Sequence, residues 1–324
     1  MATIIDGRRV SKNIKDSVKE EVLALKQNNI EVGLAVVLVG NDSASMVYVS
    51  RKNKTCRNLG INSYEYMLPE DTTQQELLEL IQELNNNDKV DGILVQLPLP
   101  RHIDERAVLS TISPKKDVDA FHPENVGKIV RGDGKILPCT PAGIITLLKE
   151  YDIQVEGKEC VVVGRSNIVG KPISLLLLNQ NGTVTICHSK TKDLAQITKR
   201  ADILVVATGK PNMITKDYVK KGAVVIDVGV NRMQDGSLCG DVDYKDVEDI
   251  ASFITPVPGG VGPMTIAMLM KNALCCHHCP TTGIGPRCPI SRCAMTVARN
   301  TPRWPTGDSI IRPSAVRDAD RDIV

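Results

Sequence analysis

Residues 159–172 read ECVVVGRSNIVGKP, and this stretch decides the fold class of the chain. The apolar run that ends at Val163 is typical of a buried strand, and Gly164 closes it. The apolar residues 173–178 that follow are typical of a helix. A strand, a glycine turn and a helix in this order predict a phosphate-binding crossover of an α/β protein, because backbone N–H groups at the start of such a helix face the phosphate.

Two phosphate-binding motifs were compared with this turn, and neither matches fully. A P-loop needs four residues between its glycines and a hydroxyl after its lysine, but five residues separate Gly164 from Gly170, and Pro172 follows Lys171. The dinucleotide motif G-x-G-x-x-G is not matched, because Ser166 stands where its second glycine would be. Two interpretations stay open: a relaxed dinucleotide turn, and a plain glycine turn with basic surface residues.

The end of the next predicted strand distinguishes NAD from NADP. NAD sites usually carry an acidic residue there, which binds the ribose hydroxyls. This chain has Ser189 and Lys190 instead, and Arg165 lies in the glycine turn. A hydroxyl and two cations suit a 2′-phosphate, so we expect NADP as the cofactor.

Strand and helix signals alternate along residues 1–274, which predicts an α/β fold with mostly parallel sheets. We expect two domains with a cleft between them. The first is a three-layer α/β substrate domain of residues 1–139 and 263–274, so it is discontinuous. The second is a Rossmann-like NADP-binding domain of residues 140–262.

The composition changes abruptly near residue 275. The last 50 residues hold seven Arg and no Lys, five of the ten Cys and the only Trp. They show no sustained apolar period, so we expect 275–324 to be an atypical, disordered tail. A shifted reading frame or an appended segment would explain the change.

A zinc site in this tail is the alternative. Its zinc-type ligands are Cys275, Cys276, His277, His278, Cys279, Cys288 and Cys293. Their spacing matches no ordered zinc finger, and adjacent ligands chelate poorly in tetrahedral geometry. We therefore predict no metal.

Charge and composition exclude several classes of protein. The 40 Lys+Arg and 38 Asp+Glu leave a net charge of +2, which gives no electrostatic reason to expect nucleic acid or a membrane surface as partner. Aromatic residues make up 3%, too few for a base-stacking platform. No apolar run reaches the ~18 residues of a membrane helix, and no secretory signal opens the chain, so the cytoplasm is the expected compartment.

Three polar residues share one face of a predicted helix. Ser45, Tyr48 and Lys52 are spaced three and four apart. A tyrosine four residues before a lysine can hold the ammonium in one direction and help to lower its pKa, which suits proton transfer near neutral pH. The alternative is a solvated helix face that also carries Arg51 and Lys54.

Further polar residues lie at strand ends. Gln96 ends an apolar strand, where it faces a ligand or is a satisfied core group. Asp117 and Asp119 could each grip an amino-pyrimidine ring through two hydrogen bonds, or each be a turn carboxylate. The loop 256–265 has three Gly and three Pro, which fix its shape for a close backbone approach.

Taken in order, these motifs resemble the bifunctional methylenetetrahydrofolate dehydrogenase/methenyltetrahydrofolate cyclohydrolase family. The resemblance covers about residues 2–274. It rests on Tyr48-x3-Lys52 after VGNDSAS, DGILVQLPLP at 91–100, KDVD at 116–119, PCTPAG at 138–143, the turn 164–172 and PVPGGVGPMT at 256–265. It implies that a hydride passes from 5,10-methylenetetrahydrofolate to NADP, and that water then opens the methenyl product to 10-formyltetrahydrofolate.

The resemblance also implies site residues and a homodimer paired through the nucleotide domain. Lys52 would be the essential lysine, oriented by Tyr48 and tuned by Gln96, while Asp119 would hold the pterin ring. The other substrate-binding residues implied are Ser45, Val95, Leu97, Pro256, Gly259, Gly260 and Pro263. The cofactor-binding residues implied are Gly164, Arg165, Ser166, Val169, Gly170, Ser189 and Val230.

One departure from the family pattern lies beside this site. Ala120 follows Asp119 where the family usually has Gly. If that position needs a positive φ, the alanine strains the loop by ~1 kcal/mol or more and shifts the neighbouring carboxylate.

Two other functions compete with the bifunctional enzyme. A dehydrogenase that has lost hydrolysis is disfavoured by the presence of both Lys52 and Gln96. A non-catalytic nucleotide-binding scaffold is disfavoured because Tyr48, Asp119 and Arg165 are intact as well.

Overall fold

The computed structural model describes residues 1–278, which form two α/β lobes. The first half of the chain contains, in order, β1 (Thr3–Ile4), α1 (Gly7–Gln27), β2 (Gly33–Val39), α2 (Ser43–Leu59), β3 (Asn62–Leu68), α3 (Gln74–Asn86), β4 (Gly92–Val95), α4 (Glu105–Thr111) and α5 (Pro123–Arg131). The second half contains α6 (Cys139–Glu150), β5 (Glu159–Val163), α7 (Gly170–Leu178), β6 (Thr183–Cys187), α8 (Leu194–Thr198), β7 (Ile203–Val206), a 3-10 turn (Lys216–Tyr218), β8 (Val224–Asp227), β9 (Asn231–Arg232), β10 (Leu238–Cys239), α9 (Tyr244–Val247), β11 (Phe253–Ile254) and α10 (Val261–His277).

The first lobe is built on a three-stranded parallel sheet in the order β3-β2-β4. All seven residues of β2 are buried, as the apolar run requires, because side chains alternate between two covered faces. Val36 and Leu38 pack in the core that includes residues of α1, α2 and α10. Val37 and Val39 pack in the core beside α3. This sandwich fixes the carboxyl ends of β2 and β4 next to each other.

The second lobe contains a six-stranded sheet in the order β1-β11-β8-β7-β5-β6. Every neighbouring pair in it is parallel, as the alternating strand and helix signals predict. The chain runs outward from β5 to β6 and then returns to β7 on the other side of β5. Cofactors of such sheets lie at the carboxyl ends of the strands where the order reverses. The glycine turn after β5 lies at this point.

The first strand departs from the predicted division of the chain. Residues 1–139 are predicted in the substrate domain, but Thr3 and Ile4 pair with Phe253 and Ile254 at the edge of the second sheet. A two-residue strand carries too little pattern to show its partner, which is why the sequence missed it. The remaining domain boundaries stay a prediction.

The last helix continues past its predicted end. The tail is expected from residue 275, but 275–277 belong to α10. His277 Nδ1 lies 2.9 Å from Asp91 Oδ1, and the Gly33 N–H donates to the other oxygen of Asp91 at 2.7 Å. The Asp91 carboxylate raises the pKa of His277, and the pair attaches α10 to the first sheet. Contacts between residues so far apart in sequence cannot be seen in a composition count.

Both expectations about the tail depend mainly on residues outside the described part of the chain. Residues 279–324, including Cys279, Cys288 and Cys293 of the zinc alternative, lie outside the described residues. Within 1–278, no group of His, Cys, Asp and Glu is arranged to hold a metal ion. Among the same residues, no helix is both long and apolar enough to cross a membrane.

Ala120 adopts the backbone conformation that favours glycine. Its φ is 56°, and the residue is fully buried in the core of the first lobe. The left-handed conformation costs an alanine about 1–2 kcal/mol. Burial of its methyl group returns about 0.8 kcal/mol. The strain expected from the family pattern is therefore present, and packing offsets part of it.

Substitution of Ala120 tests this balance. Because relief of strain and loss of the buried methyl oppose each other, Ala120→Gly should change the free energy of unfolding by less than about 1 kcal/mol. Ala120→Val should lower it by about 3 kcal/mol, since a β-branched residue resists positive φ and overfills the core. Urea denaturation measures both values. If Ala120→Val were as stable as the wild type, the positive φ of residue 120 would be contradicted.

Candidate active site

Helix α2 presents the three predicted polar residues on one face. The helix begins after Asp42, whose carboxylate accepts the Ser45 N–H at 2.8 Å and caps the first turn. Ser45 and Lys52 are buried, with Lys52 only 8% exposed, whereas the Tyr48 side chain between them is 38% exposed. The solvated-face interpretation is therefore wrong for Lys52.

Lys52 has a partner on the adjacent strand. Its Nζ donates to Gln96 Oε1 at 2.9 Å. Gln96 Nε2 donates to the Leu97 carbonyl at 2.6 Å, and the Gln96 N–H donates to the Val37 carbonyl at 2.8 Å. The amide is thus held at both ends with its oxygen toward the lysine. The structure brings together the two residues that the family resemblance pairs.

The two candidate aspartates differ in their surroundings. Asp117 is buried, and one of its oxygens accepts the His122 N–H at 2.8 Å and Asn125 Nδ2 at 3.0 Å. It is a turn carboxylate. Burial raises the pKa of Asp119, while the nearby Lys52 ammonium lowers it. Asp119 therefore differs from Asp117 in that the Lys52 charge acts on its carboxylate.

Asn272 holds the segment that carries Asp119. Its Nδ2 donates to the carbonyls of Val118 and Leu137, each at 2.8 Å, and lies 3.6 Å from Cys139 Sγ. No sequence pattern singles out this residue. The available signal was one buried asparagine inside the apolar stretch MLMKNAL of α10, where an amide must find partners.

The expected loop 256–265 ends earlier in the structure, because α10 begins at Val261, and the remaining loop 256–260 packs against the start of α1. The Arg8 N–H donates to the Gly259 carbonyl at 3.1 Å, and the Gly260 N–H donates to the Pro256 carbonyl at 2.8 Å. Gly259 has a φ of 122°. These contacts give the loop the fixed shape that its Gly and Pro content predicts. The remaining implied substrate contacts are partly covered, with Val95 and Gly260 buried and Leu97 and Pro263 half-buried.

The glycine turn after β5 fits a nucleotide phosphate. Gly164 has a φ of 133°, and a Cβ there would collide with the Ala207 carbonyl. A Cβ at Gly170 would collide with the Gly164 carbonyl. Both positions therefore need glycine for the close crossing of turn and helix. A close crossing of this kind is the geometry that dinucleotide-binding turns use.

Ser166, which stands at the position of the missing second glycine, accepts backbone hydrogen bonds through its side chain. Its Oγ accepts the N–H groups of Val169 and Gly170, each at 3.2 Å. The hydroxyl thereby closes the turn at the start of α7. Its role as a direct cofactor contact stays a prediction.

The basic and hydroxyl groups expected at the 2′-phosphate lie on neighbouring strand ends. Arg165 and Ser189 are exposed, and they follow β5 and β6, which pair through Val163 and Cys187. The Gly164 N–H donates to the Cys187 carbonyl at 2.9 Å, which ties the two ends together. Val230, expected near the nicotinamide ribose, follows β8 and is 49% exposed.

A second feature that no sequence pattern predicts is a buried carboxylate at the end of β8. The Asp227 carboxylate accepts the N–H groups of Gly229 at 2.9 Å, Asp241 at 3.0 Å and Val242 at 2.9 Å. Burial raises the pKa of Asp227 to about 6, although the three N–H donors act in the opposite direction. This group organises the loops that surround Val230.

The chain matches the models of two protein-family domains. Residues 5–119 match the catalytic domain of tetrahydrofolate dehydrogenase/cyclohydrolase. Residues 138–279 match the NAD(P)-binding domain of the same enzymes. Together the two matches cover well over half of the chain.

Similar proteins agree with these matches. The bifunctional protein FolD of Lachnoclostridium phytofermentans is 65% identical over 274 residues, which are 85% of this chain and 97% of that protein. The crystal structure of a bifunctional FolD methylenetetrahydrofolate dehydrogenase/cyclohydrolase from Campylobacter jejuni is 50% identical, with a TM-score of 0.85, over 86% of this chain and 99% of that one. A Trypanosoma brucei enzyme of the same kind, described as complexed with NADP cofactor and inhibitor, is 39% identical, with a TM-score of 0.82, over 86% of this chain and 97% of that one. The chain belongs to the tetrahydrofolate dehydrogenase/cyclohydrolase family and combines its NADP-dependent dehydrogenase and cyclohydrolase activities in one-carbon metabolism.

Proposed function

We propose that both reactions take place around Lys52. The chain oxidises 5,10-methylenetetrahydrofolate to the methenyl form and then hydrolyses this product to 10-formyltetrahydrofolate. The observation that carries the proposal is the 2.9 Å hydrogen bond from Lys52 Nζ to Gln96 Oε1 in a position that is almost closed to water. A lysine held in this way keeps one direction and remains able to exchange a proton with a bound molecule.

Oxidation requires mainly that the substrate is held in place. Bound NADP supplies the hydride acceptor, and removal of hydride from a carbon between two nitrogens needs no acid or base from the protein. We assign Asp119 to the pterin ring, where its carboxylate would accept two parallel N–H donors. Asn272 supports this role because it fixes the Val118 carbonyl, one residue before the aspartate.

Hydrolysis requires a group that takes a proton from water as it attacks the methenyl carbon. We assign this step to Lys52, which must first give up its own proton and accept one from water as a neutral amine, with Gln96 holding the nitrogen in place. Tyr48 lies one helical turn before Lys52, and its partly exposed ring would pack on the substrate and on the lysine chain. Ser45, Val95, Leu97 and the loop 256–265 would complete the substrate surface.

Cofactor selection falls to the ends of β5 and β6. Arg165 and Ser189 would bind the 2′-phosphate, and the glycine turn would cradle the pyrophosphate. No acidic residue stands at 188–190, directly after Cys187, which supports NADP over NAD.

We also propose a homodimer that pairs through the second lobe, in the cytoplasm. β6 is the edge strand of the six-stranded sheet, and Ile186 on it is 44% exposed. Exposed apolar edge strands are pairing surfaces. Light scattering should give twice the 35.3 kDa chain mass, whereas a monomer would refute the pairing.

The role of Lys52 is tested by replacing it. Lys52→Ala should lower both activities by about 10²–10⁴-fold, because proton transfer and orientation are lost together. Lys54→Ala, an exposed lysine on the same helix, serves as the matched control and should leave both rates unchanged. Absorbance assays of NADPH formation and of methenyl hydrolysis measure the two steps separately. Near-normal hydrolysis in Lys52→Ala would overturn the assignment.

The role of Arg165 is tested by comparing the two cofactors. Arg165→Ala should raise the KM for NADP at least tenfold and the KM for NAD less than twofold, since only NADP carries the 2′-phosphate. The control is Lys171→Ala in the same turn, whose Nζ donates to Asn167 Oδ1 at 2.7 Å. An equal rise in the KM values for NADP and NAD would show that Arg165 does not bind the 2′-phosphate.

A further inference from the structure

Asp241 is a fully buried aspartate at the carboxyl edge of the second sheet. It follows the β9–β10 hairpin, and its carboxylate accepts three hydrogen bonds. The N–H groups of Thr208 and Gly209 donate to Oδ2 at 2.6 and 2.9 Å, and Asn231 Nδ2 donates to Oδ1 at 2.9 Å. One side chain thus connects two separate loops.

Both connected loops border the place where a cofactor binds in such a sheet. Thr208 and Gly209 lie just after β7, and Ala207 before them is the residue that a Cβ at Gly164 would strike. The first loop therefore lies against the phosphate-binding turn. Asn231 follows Val230 directly, so the second loop holds the residue expected beside the nicotinamide ribose.

Asp241 is itself held in place from the adjacent strand. Its backbone N–H donates to Asp227 Oδ1 at 3.0 Å, and Asp227 ends β8. A Cβ at Gly240 would collide with the Asp227 carboxylate, so glycine lets the two aspartates approach. Two buried carboxylates in series therefore fix the ends of β7 and β8 relative to the hairpin.

We propose that Asp241 is a positioning residue of the cofactor site, whose carboxylate keeps 207–209 and 229–231 in the arrangement that binds NADP. This inference rests on the proposed location of NADP at this edge. Without the carboxylate, two backbone N–H groups and one amide lose their acceptor, and the loops gain other conformations. The apparent affinity for NADP then falls in proportion to the competent fraction.

The test compares NADP binding with a reaction that consumes no NADP. Asp241→Ala should raise the Kd for NADP, measured by calorimetry, at least tenfold. The kcat/KM of methenyl hydrolysis should stay within twofold of wild type, because that step uses the first lobe. The Kd of Asp241→Asn for NADP should lie between those of the wild type and of Asp241→Ala. The amide oxygen of the new side chain can still accept from Thr208 and Gly209, and its NH₂ can donate to an Asn231 side chain that has turned.

Asp202→Asn is the matched control at the other end of β7. Its carboxylate accepts the Glu159 N–H at 3.0 Å and Lys220 Nζ at 2.7 Å, but it lies at the amino edge of the sheet. The Kd for NADP should therefore stay within twofold of wild type.

Three results would overturn the inference: an Asp241→Ala variant with unchanged NADP affinity, a parallel loss of hydrolysis, or an equal effect in Asp202→Asn. If Asp241→Ala does not fold, the Kd of Asp241→Asn for NADP tests the proposal instead. A threefold or larger rise in this Kd supports the proposal, and an unchanged Kd refutes it. Failure of the wild-type chain to bind NADP would instead refute the proposed function.

Discussion

The hydrogen bond between Lys52 and Gln96 imposes the main constraint on the first lobe. A cation that is almost closed to water needs a fixed polar partner, because an unpaired charge there would be strongly destabilising. The partner stands at the end of β4, so α2, β2 and β4 must keep one register for the contact to form. The core on both faces of β2 enforces that register. Packing of apolar residues and placement of the Lys52 nitrogen are thus one structural requirement.

The same residue type has different tasks at four places in this chain. The carboxylates of Asp117 and Asp227 accept hydrogen bonds from neighbouring loop residues and thereby hold the loops in place. Asp241 does the same between two loops that are far apart in sequence. For Asp119, burial raises the pKa, and the Lys52 charge opposes part of that shift. The surroundings of a carboxylate, rather than its presence, separate a structural role from a binding role.

Sequence patterns predicted the helices and strands well where several residues form one pattern. The buried run of β2, the helix that carries Lys52 and the glycine turn after β5 all appear where the patterns place them. Contacts that depend on a single residue were missed. Asn272, Asp227 and Asp241 gave no periodic signal, because their partners are backbone groups brought near only by the fold. The pairing of the two-residue strand β1 was not predicted for the same reason.

Helix α10 is the last described element, yet it completes the first lobe. It starts from the loop 256–260, Asn272 in its middle holds the Val118 carbonyl, and His277 near its end binds Asp91. The order of synthesis therefore differs from the order of assembly. While the chain grows from its amino end, the Val118 carbonyl and the Asp91 carboxylate lack these partners until the whole nucleotide-binding lobe has been made. A premature stop before residue 261 would thus damage the half of the molecule that was made first.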